Sequence, residues 1–86
     1  MAHARKLILD STFGPDTIKM MGETFDVAWA SIETAFRGLP QATKDNARTV
    51  LASSIIQGVR IGLVHPEALK NEATAAVRQR FPSLQI

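Results

Sequence analysis

Four prolines divide this 86-residue chain, at positions 15, 40, 66 and 82, and glycine stands just before three of them, in GPD, RGLP and GLVHP. Proline breaks a helix from inside, yet its fixed φ suits the first helical position. Glycine reaches the left-handed conformation in which helices commonly end. Regular structure must therefore fit between these marks, and the stretches between them carry helical periodicity.

The first stretch opens at Gly14-Pro15-Asp16, with a carboxylate at the positive end of the helix dipole. Ile18, Met21, Phe25, Ala28, Ile32 and Ala35 follow at spacings of 3, 4, 3, 4 and 3, and Trp29 and Phe36 widen that face. Arg37 closes the last turn and Gly38 caps it, which predicts a helix over about residues 15–37. A second helix is expected over about 42–62, with Thr43 as its N-cap, Asp45 in the first turn and Gly62 as its C-terminal cap. One apolar or small stripe on it runs Ala47, Val50 or Leu51, Ser54, Gly58, Ile61; another takes in Leu51, Ile55, Val59 and Gly62. Together they wrap more than half of the circumference, so this helix is expected at the centre of the domain. The third is expected over about 66–80, with Leu69, Ala73, Ala76 or Val77, and Phe81 on one face and Arg78 and Arg80 in the last turn. No strand pattern of useful length appears, Leu7-Ile8-Leu9 being the only candidate. The expected fold is all-α: a compact three-helix domain over residues 14–86, behind an N-terminal arm of residues 1–13.

The opening FGPDTIKMMGETFDVAW and the later ARTVLASSIIQGVRIGLVHPEAL resemble a pattern found in short uncharacterised all-helical bacterial proteins. The positions that carry the likeness are Phe13, Pro15, Asp16, Thr17, Trp29, Gly62, Pro66 and Leu69, within residues 13–77. The resemblance implies a helical fold and carries no activity with it.

A chain of this length buries only about 60 to 65% of its unfolded surface, so its core is thin. There is no cysteine to staple it. Oligomerisation is the usual supplement, and a homodimer is expected. The missing thiols also favour a reducing, cytoplasmic setting. The N-terminal apolar run is too short for a secretory signal. Thr49 to Val59 is uncharged but far shorter than a membrane span, and Arg60 ends it, so no membrane role is expected.

Within SIIQGVRIGLV, Ser54, Gly58 and Gly62 recur at every fourth position. Each glycine inside a helix costs roughly 1 kcal/mol relative to alanine. Gly62 is explained as a cap. Gly58 points to close packing, either beneath Trp29 and Phe36 of the same chain or against a second copy. The candidate helix-packing or dimer interface is therefore Ser54, Ile55, Gly58, Val59 and Ile61.

Catalysis finds few residues. Tyrosine and cysteine are absent, His65 sits in a turn beside a proline, and His3 lies near the N-terminus. Glu23 and Asp26 have metal-ligand spacing on the first helix, but no histidine accompanies them. No phosphate-binding loop is present, since GVRIG follows no strand. No catalytic residue, metal or cofactor is expected, and the chain reads as a non-catalytic interaction or regulatory module.

The alternative is a weak dimeric DNA-binding protein, with residues 50–80 as a helix-turn-helix-like unit. Lys70, Asn71, Thr74 and Arg78 would then face a major groove. The net charge of +2 speaks against it, because phosphate contacts supply most of the affinity. Glu67 and Glu72 would also lie among phosphates. A third reading places a small-molecule pocket between Phe25, Trp29 and Phe36.

Overall fold

The computed structural model describes residues 13–84 and 86. The arm, with His3 and the Leu7–Leu9 run, lies outside them apart from Phe13. The described residues form three α-helices and no strand: α1 (Pro15–Ile32), α2 (Gln41–Arg60) and α3 (Pro66–Arg80). A 3-10 turn, Glu33–Phe36, follows α1.

Each helix begins at or beside a proline. Gly14 caps α1 and its carbonyl accepts from the Ile18 amide at 2.9 Å, and Pro66 opens α3 behind His65. At α2 the expected cap is displaced. Pro40 is extended, and its carbonyl accepts from the amides of Thr43 and Lys44 at 3.1 and 3.2 Å. Thr43 is thus the third helical residue rather than the cap. Asp45 falls beyond the first turn, where it accepts from the Gln41 side-chain amide at 2.9 Å.

The first helix stops earlier than its pattern predicts. Ile32 leaves helical geometry at φ −119°, and the next four residues tighten into the 3-10 turn. Such tightening gives partners to carbonyls that a helix end would leave unmatched. The Arg37 amide donates to Thr34 and the Leu39 amide to Phe36, at 3.1 and 3.2 Å. Gly38 then reverses the chain at φ +83°.

The end of α2 is a Schellman motif. The Leu63 amide donates to the Gly58 carbonyl at 2.9 Å and the Gly62 amide to Val59 at 3.0 Å, with Gly62 at φ +93°. Only a residue tolerant of positive φ closes the turn this way.

The core joins Met21, Phe25, Ala28, Trp29, Ile32 and Phe36 to Ala47, Leu51, Ala52 and Ile55 of α2 and to Leu69, Ala73 and Val77 of α3. α1 and α3 run in the same direction. Pro66 and Lys70 lie beside Met20 and Val27 at one end, and Phe81 packs against Phe36 at the other. The centre belongs to α3 rather than to α2. α3 packs extensively on both other helices, whereas α1 and α2 share the least contact. Composition explains this: Ala68, Ala73, Ala75 and Ala76 are all buried or half-buried on α3, and small side chains let two neighbours approach one helix. α2 turns Thr49, Ser53 and Gln57 to solvent, so its apolar residues form a face rather than a belt.

Candidate docking surface

The Schellman end of α2 decides which of its residues reach solvent. Ile61, the last residue before the left-handed glycine, is thrown outward and stands 72% exposed. Val64 in the same turn is 60% exposed, and Leu63 is half-buried. Among the described residues, no side chain covers Ile61 or Val64. An open groove of about 470 Å³ adjoins this turn, lined by Ile61 itself together with Ser54, Gln57, Gly58, Gly62, Leu63 and Glu72. A second groove, of about 300 Å³, lies between α1 and the start of α3. Val27, 58% exposed, lines it together with Met20, Pro66, Glu23 and Glu67.

The five residues of the candidate interface do not share one exposed face. Ile55 is fully buried in the core, Ser54 and Val59 are half-buried, Gly58 is buried, and Ile61 is exposed. Close packing at Gly58 is supplied by α3. A Cβ built on it would stand 2.7 Å from Leu69 Cδ2 and 3.7 Å from Leu63 Cδ2. The three atoms nearest that position belong to Leu69 and Leu63, not to Trp29 or Phe36. Trp29 and Phe36 pack instead on each other, with ring centroids 5.5 Å apart, and Phe81 meets Phe36 edge-on at 5.3 Å.

The four residues proposed for a DNA groove are also divided. Asn71 and Arg78 are exposed. Lys70 is half-buried and its ammonium lies 3.3 Å from the Glu67 carboxylate. Thr74 is buried at 7% exposure, and its hydroxyl donates to the carbonyls of Lys70 and Asn71 at 3.0 and 3.1 Å. Its side chain is committed to its own helix.

Phe25, Trp29 and Phe36, proposed to line a pocket, are all buried. The Arg48 guanidinium covers the Trp29 ring from 4.7 Å. The indole Nε1 is buried and has no hydrogen-bond partner. Among the described residues, no three histidine or carboxylate side chains gather as a metal would require, and no helix is long and apolar enough to cross a membrane.

The exposure of Val64 is not evident from the sequence pattern. It falls between a glycine cap and a proline start, in neither helical seam, and that placement is the available signal. The outward turn of Ile61 is hidden by its correct spacing from Gly58. The chain matches no known family model, no curated protein and no solved structure.

Proposed function

We propose that this chain is a non-catalytic helical interaction module that works as a homodimer in the cytoplasm, where a domain without cysteine needs no oxidising environment to fold. The observation that carries the reading is the exposed apolar turn of Ile61 and Val64 beside an open groove. Small soluble domains seldom leave large apolar side chains grouped in solvent without a partner. A thin core also gains from the surface a second copy would cover.

DNA binding is the weaker reading. Thr74 is turned inward and Lys70 is paired, so two of the four groove contacts are compromised. It predicts salt-dependent retention on duplex DNA that weakens in Arg78→Ala. The interaction reading predicts no such retention.

The deciding experiment is light-scattering molar mass over a wide dilution series. A mass near twice 9.4 kDa that falls only at high dilution supports the dimer. A mass of 9.4 kDa at every concentration overturns it.

A further inference from the structure

Self-association of this chain, the reading on which any such interface rests, requires a surface that can meet its own copy. A two-fold interface is isologous: each subunit contributes the same patch, so a patch that carries a projection must also carry the recess that receives it. The α2–α3 turn carries both. Ile61 is the most exposed large apolar side chain among the described residues, and the groove over Gly62 and Leu63 opens directly beside it.

Charge follows the same division. Arg60 adjoins the projection and Glu72 lines the recess; both are exposed, and neither has an ion pair among the described residues. At the start of α3 the Lys70 ammonium is already matched with the Glu67 carboxylate at 3.3 Å. A patch with one unmatched cation at its knob and one unmatched anion at its hole is complementary to a copy of itself. Arginine and carboxylate also suit each other in geometry, through paired N–H donors.

A crossing of two α2 helices at Gly58 is disfavoured, because Leu69 already covers that glycine. The contact must lie further along, where the helix has ended. We propose that two copies join across a two-fold axis at the α2–α3 turn. Ile61 of each enters the groove of the other, and Arg60 of each lies opposite the partner's Glu72. Every contact is made twice, so a single substitution acts on two sites.

Charge reversal tests this directly. Arg60→Glu and Glu72→Arg each place like charges together twice, so each dimer dissociation constant should rise about tenfold or more. Mixing the two variants in equal amounts should restore association to near the wild-type value, because both cross-subunit pairs are then opposite in sign. No pairing within one chain can be rescued by mixing. Ile61→Ser should weaken the dimer without changing the helical circular dichroism, because the side chain is in solvent in the single chain. Sedimentation equilibrium of the full chain reads the wild type, the variants and the mixture alike. A wild-type protein that dimerises, with single variants that associate equally well or a mixture that stays dissociated, overturns this interface and leaves self-association standing. A wild-type protein that is monomeric throughout overturns both.

Discussion

Leu69 closes over Gly58: its Cδ2 stands 2.7 Å from the position a Cβ on that glycine would take. Real side chains do not approach so closely, so Leu69 could not keep this position beside a residue with a Cβ. The helix propensity forgone at Gly58, about 1 kcal/mol, is offset by the contact that fully buries Leu69.

Gly58→Ala therefore sets two effects against each other. Alanine regains about 1 kcal/mol of propensity, whereas overpacking costs about 1 to 3 kcal/mol. Leu69 has no solvent to move into, so the expected result is a net loss of about 1 kcal/mol in urea unfolding, and about 3 kcal/mol or more for Gly58→Leu. Adding Leu69→Ala to Gly58→Ala should cost less than the two separately. A stabilised Gly58→Ala protein would show that Leu69 shifts aside at little cost.

At Gly62 the issue is backbone conformation rather than space. Its φ of +93° is strained for any L side chain, and nothing lies within 4 Å of an added Cβ. Gly62→Ala is expected to lose about 1 to 2 kcal/mol, with Gly62→Asn losing less because asparagine tolerates the left-handed region better. Equal losses for the two would argue against a conformational cause.

Much of this architecture is legible in the amino-acid sequence, and the reason is its punctuation. Pro15, Pro66 and Gly62 mark helix ends by local stereochemistry, which travels with the residue. The α1 seam of Met21, Phe25, Ala28 and Ile32 is legible because a 3.6-residue period is also local. What fails to show depends on tertiary placement. No proline or glycine marks the break at Ile32. Nothing within α2 reveals that Leu69, a residue of the next helix, will cover Gly58. Thr74 reads as a polar surface residue until its hydroxyl is seen bonded back to α3. For the docking surface, spacing identifies Ile61 and Gly62 marks the helix end beside it, but neither says that the other helices will leave that side chain uncovered.

The orphaned indole of Trp29 bears on a third substitution. A buried donor without an acceptor costs about 1 to 3 kcal/mol, and phenylalanine lacks that donor while keeping a ring to stack on Phe36. Trp29→Phe should change stability by less than about 1 kcal/mol, the relief offsetting the lost volume, whereas Trp29→Ala should lose about 3 to 5 kcal/mol. Thermal unfolding followed by circular dichroism separates these. A Trp29→Phe protein as unstable as the alanine variant would mean that the indole nitrogen is satisfied in solution.

Arg48 offers a fourth. Its guanidinium lies over the Trp29 ring and is only partly open to solvent, while the Asp45 carboxylate it meets at 3.6 Å is exposed, so that contact is of little worth. Arg48→Met keeps the aliphatic stem and removes the charge, so about 0.5 to 1 kcal/mol should be lost. In a double-mutant cycle with Trp29→Leu that loss should largely disappear. A coupling of zero would assign the position of Arg48 to its stem alone.

Phe36 belongs to the tight turn that finishes α1, and Phe81 is the first residue past α3. Their edge-on contact ties together two places where helices end, and helix ends are ordinarily the first to fray. At this end of the bundle, loosening either terminus strips an aromatic neighbour from the other, so local melting is converted into a larger and rarer opening. At the opposite end, with its bare turn at Ile61 and Val64, no such ring pair ties two helix ends among the described residues. The molecule is thus polarised in cooperativity: one end is locked by its own rings, and the other is the end where a partner would contribute most to rigidity.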